Sequence, residues 1–360
     1  MKKMATEQVL SPGETLIEAL KKIEKEKGVD KEIIFKAIED SLLAACKNEY
    51  GKSDNISVVM NRENGEIKVY SNKMVVEEPE DTDLEISIHD PRIKDLGLEI
   101  GDEAHIEIIP RNFGRIAAQK AKQVIVQKIR EEERKSLYNE YHSKEKSLIY
   151  GTVQRYNGGN ISVNLGKVDA VLSENEQVPG ERFRPTERIK LYIVEVKNTS
   201  RGPKITVSRT HKGLVKCLFE AEVDEVRDGT VEIRSIAREP GSRTKIAVMS
   251  NNPDVDPVGA CVGPGGARVN AVVDELRGEK IDIVKWSDDP AVLIENALSP
   301  AKVVSVDVDT ENKTALVVVP DYQLSLAIGK SGQNSRLAHL LTGYGIDIKS
   351  ESEAYGHQIG

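Results

Sequence analysis

Three cysteines in 360 residues, at positions 46, 217 and 261 and without any CxxC pair, leave neither a disulfide framework nor a zinc knuckle to build. A reducing cytoplasm is the compartment this implies. Aromatic residues are scarce, 4% with a single tryptophan, so neither cores nor binding faces rest mainly on stacked rings. No apolar run reaches the ~18–20 residues of a membrane span. The N-terminus, Met1-Lys2-Lys3-Met4-Ala5, leads into Thr-Glu-Gln instead of an apolar stretch, so no signal peptide is visible. What is present is 39% hydrophobic content, enough for cores. At the usual ~150 residues per domain, the length predicts two to three domains.

The formal net charge is −8, yet its distribution matters more than its sum. Residues 1–110 hold 25 acidic and 15 basic side chains, a net of −10, which leaves 36 basic and 34 acidic residues and a net of +2 for 111–360. A polyanion responds to potential within a Debye length of ~8–10 Å, so the basic excess further along the chain still admits an RNA ligand.

Residues 13–50 carry apolar positions at helical spacing, interrupted at Gly28, with Asp30 placed to cap a second helix. Short alternating segments follow at Ile56–Met60, Ile67–Tyr70, Leu84–Ile88 and Ala104–Ile109, an α+β unit. From Asn112 to Lys146 there is no proline, and Gly114 is the only glycine. Ala117, Ala121, Val124, Ile125 and Ile129 form a stripe that lapses afterwards, which predicts one long helix ending in a solvated arm. Its ~30 residues span on the order of 45 Å. Arg111, Arg115, Lys120, Lys122 and Lys128 make its first part basic, a pattern that a plain solvated face also produces. Between 147 and 209 the period changes to two. Five alternating segments with Gly158-Gly159, Gly166 and Gly202-Pro203 at turns predict a small five-stranded barrel of the oligonucleotide-binding class. Basic residues concentrate in its second half: 182, 184, 188, 190, 197, 201 and 204, with Glu181, Glu187 and Glu195 among them.

The last third contains a repeat. Gly263-Pro-Gly-Gly266 is matched by Gly329-Lys-Ser-Gly332, and after one deletion Leu276, Gly278 and Ile281-Asp-Ile283 align with Leu341, Gly343 and Ile346-Asp-Ile348. Each copy reads helix, two strands, helix, GxxG, helix, strand. One GxxG is weak evidence in a chain with 27 glycines, but two in the same setting are specific. Without side chains at the glycines, a sugar-phosphate backbone can touch the loop, and amides at the next helix start offer donors. This is how KH modules clamp about four unpaired nucleotides. The alternative is a tight helix–turn–helix using glycine for geometry alone. The second loop is the better electrostatic site, with Lys330 inside it, Ser331 as a donor and Arg336 one turn on. The first offers Pro264 and Gly265, and Arg268 as its one nearby cation.

Other chemistries fit less well. Gly329-Lys330-Ser331 and Gly51-Lys52-Ser53 imitate a P-loop ending, but its first glycine is replaced by Leu324 and Cys46, and both follow helices. Asp307 to Glu311 hints at a calcium loop but has Asn312 at the sixth position, which favours a hairpin turn. Cys217 and Cys261 sit in apolar helical patterns, the setting of core residues. No nucleophile–base pair emerges, and none of the six scattered histidines forms a metal spacing with a cysteine.

Several stretches go further. Phe113-Gly-Arg-Ile-Ala-Ala-Gln119, Ala121-Lys-Gln-Val-Ile125, Ile205-Thr-Val-Ser-Arg-Thr210 and Arg238-Glu-Pro-Gly-Ser-Arg-Thr-Lys-Ile-Ala247 are four of them. Asp256-Pro-Val-Gly-Ala-Cys-Val-Gly263, Glu275-Leu-Arg-Gly-Glu-Lys-Ile-Asp-Ile283, Leu326-Ala-Ile-Gly329 and Gly332-Gln-Asn334 are the others. Over nearly its whole length the chain resembles the NusA family of bacterial transcription elongation, termination and antitermination factors. The resemblance implies a multidomain α+β chain. It places a polymerase-binding domain with a long connecting helix at 1–140, an S1 (OB-fold) barrel at 147–210, two tandem prokaryotic-type KH domains at 211–287 and 288–350, and a tail at 351–360. It assigns polymerase contact to the helix from Phe113 to Lys128, including Arg115 and Lys120, with Arg111 just before it. It assigns RNA contact to Arg209 and both GxxG loops, to which the basic barrel half adds Arg188 and Lys190. Relatives usually carry a basic residue inside the first GxxG, where this chain has Pro264-Gly265.

The expected function is that of a non-enzymatic cytoplasmic regulator, a monomer when free, without cofactor, metal or membrane contact. Its partners would be core RNA polymerase, nascent single-stranded RNA and other Nus antitermination factors. The alternatives are an S1/KH component of an RNA-degradation system or a ribosome-associated factor. In phosphorolytic exonucleases KH precedes S1 behind large catalytic domains, whereas here S1 comes first and only ~145 residues precede it.

Overall fold

The computed structural model describes residues 12–50, 55–94, 96–108 and 113–356. The chain divides into two compact units, 1–136 and 137–360.

In the first unit, α1 (Pro12–Lys27) ends at Gly28, whose φ of 67° no helix accommodates, and α2 (Lys31–Tyr50) follows with Asp30 accepting from the Glu32 amide at 2.8 Å. Strands β1 (Ile56–Met60), β2 (Ile67–Val76), β3 (Glu85–Ser87) and β4 (Glu103–Ile108) form one sheet. β1 and β4 pair antiparallel with β2, and β3 pairs parallel with its end. β2 runs six residues beyond the predicted Tyr70, because Ser71 to Val76 keep the alternation with polar residues that a sequence reading takes for a loop. Leu20, Ile34, Phe35, Ile38 and Leu42 pack on Val58, Met60 and Val69, together with Ala117 and Ala121 of the next helix.

That helix, α3 (Phe113–His142), has the thirty residues its composition predicts, but its end is not a solvated arm. Leu137, Tyr138 and Tyr141 pack into the core of the second unit's barrel, and the Tyr141 hydroxyl donates to the Leu165 carbonyl at 3.0 Å. Three apolar side chains in the last six residues were too few to register as a stripe.

In the second unit, β5 (Leu148–Asn157), β6 (Asn160–Asn164), β7 (Asp169–Leu172), β8 (Arg188–Thr199) and β9 (Gly202–Ser208) close a barrel in the order β5-β6-β7-β9-β8, the predicted OB architecture. Alternate residues (Val153, Val163, Leu191, Ile193, Val207) fill it. Gly151 is required there, since a Cβ would sit 2.3 Å from a Val163 methyl.

Two modules of one topology follow. The first comprises α4 (Lys212–Glu222), α5 (Asp224–Arg227), β10 (Val231–Glu239), β11 (Arg243–Ser250), α6 (Pro257–Val262), α7 (Ala267–Glu275) and β12 (Lys280–Lys285). The second comprises α8 (Pro290–Leu298), β13 (Ser305–Asp309), β14 (Thr314–Val319), α9 (Leu324–Ile328), α10 (Gln333–Thr342) and β15 (Gly345–Ser350). In each sheet the first two strands are antiparallel and the third joins parallel. Residues 351–355, predicted as tail, form α11 (Glu351–Tyr355), started by a capping box of Ser350 and Glu353.

The first module's sheet is covered on both faces. Ile246 and Val248 point into its own core, while Ala237, Ala247 and Val284 join Ile294, Leu298, Leu337 and Ala338 of the second module. Lys245 on that face is fully buried, its ammonium held by Asp282 at 3.0 Å and the Ser299 carbonyl at 2.8 Å.

Candidate nucleic-acid interface

The GxxG loops have the same backbone. After α6, Gly263 takes φ 72° and ψ 170°, Gly265 φ 60° and Gly266 φ 79°; after α9, Gly329 takes 77° and 170°, Ser331 φ 53° and Gly332 φ 74°. Three left-handed positions in identical order make the sequence repeat a structural one. Ser331 accepts at non-glycine cost, roughly 1–2 kcal/mol, what Gly265 provides freely. Gly329 cannot be replaced so simply, because a Cβ would lie 2.8 Å from the Asn334 amide nitrogen. Asn334 in turn is buried and donates to the Ala327 and Leu298 carbonyls at 3.0 Å, tying the loop's approach to α8.

Each loop displays its two middle residues, Pro264 and Gly265 or Lys330 and Ser331, to solvent. They differ in what they offer. Pro264 has no amide hydrogen, so the first loop presents one backbone donor fewer as well as no charge. Lys330 makes no ion pair among the described residues. Arg268 turns away from the first loop, its Nη1 bonded to Glu225 at 2.9 Å and the Ala260 carbonyl at 2.7 Å, with its stem under Gly263. Arg336 donates through Nη1 to the Ser331 carbonyl at 2.8 Å and pairs with Glu239 of β10 at 2.7 Å, bracing the second loop against the first module. Gln333 joins it, donating to Glu239 and Ser242 at 2.7 Å each.

On the barrel, Arg188 is exposed and lies over the Tyr150 ring at 4.4 Å, and Tyr150 itself is 48% exposed. Lys190 is less available, its side chain 18% exposed with Glu275 at 3.5 Å. Arg209 does not face solvent at all. At 1% exposure it pairs with Glu181 through Nε at 2.8 Å and Nη2 at 2.5 Å, with Glu275 at 3.3 Å, and donates to the Lys190 and Glu275 carbonyls. Burial opposes its charge, while these two carboxylates raise its pKa and keep it ionised. The RNA contact expected of Arg209 is therefore corrected: a guanidinium with its donors spent inside the protein joins the barrel to α7 and has none left for a phosphate.

Of the positions assigned to polymerase contact, Arg111 lies outside the described residues and Phe113 opens α3. Arg115 is exposed, Lys120 half-buried, and Lys128 paired with Glu131 at 2.8 Å. Sequence reasoning missed the role of Arg238, whose fork grips Glu279 at 2.9 Å twice while Glu279 also accepts from the Gly241 amide and Thr244 hydroxyl. That network anchors the β10–β11 hairpin. Burial pushes the Cys217 and Cys261 thiols up to about 11, as suits core side chains.

Residues 15–135 match the NusA N-terminal domain family, 209–286 the NusA-like first KH domain and 290–355 the NusA-like second KH domain. The transcription termination/antitermination proteins NusA of Halalkalibacterium halodurans and Bacillus subtilis are each 54% identical over 94% of this chain, covering 88% and 91% of theirs. The chain belongs to the NusA family. The Thermus thermophilus NusA is 42% identical over 92% of the chain and 89% of its own length. Among solved structures, the N-terminal domain of NUSA from B. subtilis is similar at 47% identity, covering 34% of this chain and 98% of that one, with a TM-score of 0.31. The NusA family assignment accounts for the duplicated modules as tandem KH domains, and the closed barrel before them is an S1-type OB fold.

Proposed function

We propose that this NusA family chain is a transcription elongation factor. It holds nascent single-stranded RNA with its barrel and KH modules and core RNA polymerase with its N-terminal domain, and so modulates pausing, intrinsic termination and antitermination. The observation that carries the reading is the pair of exposed GxxG loops of matching backbone on two KH modules fused through a shared core. Each loop binds weakly, and attachment to polymerase raises the local concentration of emerging transcript. In this reading the chain acts in the cytoplasm as a monomer without catalysis or cofactor, and joins other Nus factors in antitermination complexes.

Two measurements test it. The full chain should co-elute with core polymerase and bind an unstructured RNA in preference to the same sequence in duplex. Failure to co-elute removes the transcriptional part and leaves an RNA-binding protein. Shortening of labelled RNA in the presence of phosphate would instead place the chain in RNA degradation.

A further inference from the structure

Between the barrel and the first KH module lies an open cleft of ≈ 680 Å³, away from both GxxG loops along the sequence. One wall is the loop before β8, with Arg182, Phe183, Arg184, Thr186 and Glu187; the other is Arg277, just past the end of α7. The charge is unbalanced. Three guanidinium groups meet one carboxylate, and Glu187 is already engaged, accepting from the Arg184 amide at 2.7 Å and from Arg277 Nη2 at 2.5 Å. Arg182 and Arg184 are exposed and make no ion pair among the described residues. That leaves two cations without an ion pair facing one concavity, Arg184 adding only a through-space attraction to Glu187.

The cleft is held open by rigid parts. Phe183 is buried and its ring is in contact with two guanidinium groups, Arg277 at 4.7 Å from its centroid and Arg209 at 5.5 Å. Arg209 belongs to the buried network that joins Glu181, next to Arg182, to Glu275 of α7. Arg277 also donates to the Arg182 carbonyl at 3.3 Å. Both walls carry non-glycine residues with left-handed backbone, Thr186 at φ 71° and Arg277 at φ 55°. Such positions are strained for a residue with a side chain and persist where surrounding structure imposes them. The duplication supplies a comparison: by the repeat register Arg277 corresponds to Thr342, where α10 ends without a left-handed non-glycine residue and Gly343 alone makes the reversal. The arginine and its unusual backbone are thus confined to the copy that adjoins the barrel.

We propose that this cleft binds the phosphate backbone of the RNA strand, as a third holding point between the S1 barrel and the first KH loop. The proposal rests on the reading of the chain as an RNA-binding factor. Its volume lies in the range of small-ligand clefts, room for a nucleotide unit and not only a bare ion. Arginine is suited to the task because its planar fork meets phosphate oxygens two at a time. In the same module the first GxxG loop has neither a free cation nor the Pro264 amide, so the cleft supplies charge where that loop lacks it.

The test is the affinity of the full chain for fluorescent unstructured RNAs of about eight nucleotides, the reach of two KH loops, and of about three times that length. The variants are Arg182→Gln/Arg184→Gln, its charge-preserving control Arg182→Lys/Arg184→Lys, and Lys330→Asp/Ser331→Asp for the second loop. For Arg182→Gln/Arg184→Gln, affinity for the longer RNA should fall about tenfold at low salt and its salt slope should shrink by about 1.4, two single-strand contacts at ~0.7 each. The shorter RNA should bind as before, and the lysine control should recover the slope. Unchanged binding of the longer RNA, while Lys330→Asp/Ser331→Asp weakens it, would overturn the cleft and leave RNA binding intact. If neither variant mattered, the GxxG reading itself would fall, and this proposal with it. AMP saturating the unmodified chain at micromolar concentration, but not Arg182→Gln/Arg184→Gln, with RNA unaffected, would overturn the backbone site in favour of a free-nucleotide site.

Discussion

Single residues decide how the two loops divide their labour. Lys330 is the cation the second loop offers, and a phosphate contact through it should register in salt dependence. Lys330→Asp/Ser331→Asp should weaken RNA binding and reduce the salt slope by roughly 0.7 per lost contact, with the thermal unfolding of the protein unchanged. The glycines should separate by surroundings. Gly265→Ala meets open space and adds only the left-handed cost of roughly 1–2 kcal/mol, whereas Gly329→Ala adds a collision with the Asn334 backbone, so its denaturation midpoint should fall further. Both glycine patterns were legible in the sequence because the motif repeats. The fate of the arginines was not. Arg188, Arg209, Arg268 and Arg336 look alike in a list of charges. What distinguishes them is a carboxylate brought close only by folding: Glu181 and Glu275 for Arg209, Glu225 for Arg268 and Glu239 for Arg336. Breaking the first of these has a cost of its own.

At the scale of elements, periodicity served well where it was strict and failed where few apolar residues sufficed. The five barrel strands and the duplicated KH order follow from alternation and repeat. The end of α3 was misread because Leu137, Tyr138 and Tyr141 make a contact patch too short for a stripe. The start of α4 carries an element-level prediction. His211 caps this helix, its Nδ1 accepting from the Gly213 amide at 3.0 Å while its ring stacks on Tyr192 at 4.7 Å. Burial lowers its pKa below 6.5, helped by Lys212 and Arg238 and opposed by Glu176. A depressed folded pKa means that the unfolded chain takes up the proton first. The cap's contribution is therefore complete above ~6.5 and decays as pH falls toward the folded value. His211→Asn keeps an acceptor that does not titrate in this range, so it should flatten the stability profile between about pH 7 and pH 5. His211→Ala should cost about 1 kcal/mol at neutral pH, as cap removals do. Urea denaturation across that pH range reads both; equal slopes for the unmodified chain and His211→Asn would show that the cap is not what titrates.

In the second unit as a whole, the first KH sheet is a wall between two cores. Its inward residues, Ile246 and Val248, belong to its own module, and the intervening Ala247 belongs to the neighbour's. Strand parity thus lets a substitution address the junction alone. Ala247→Asp buries a carboxylate in the cluster of Ile294, Leu298, Leu337 and Ala338, where the one cation on the same face, Lys245, is already engaged by Asp282, a penalty of several kcal/mol that is relieved by separating the modules. The residues that fold the first module are untouched. The expected outcome is a thermal trace in which the second module unfolds ahead of the rest, where the unmodified unit gives one transition. RNA binding then reports what the junction is for. With rigid modules, a strand held by one loop is presented to the next at high effective concentration, and affinity rises with length until both are spanned. Freed modules lose that geometry while each loop stays intact. Ala247→Asp should therefore leave the affinity for about four nucleotides, a single clamp's worth, unchanged and flatten the gain on lengthening the RNA. If the gain survived with the modules demonstrably separated, the two loops would be acting as beads on a flexible strand, and the shared core would serve stability alone.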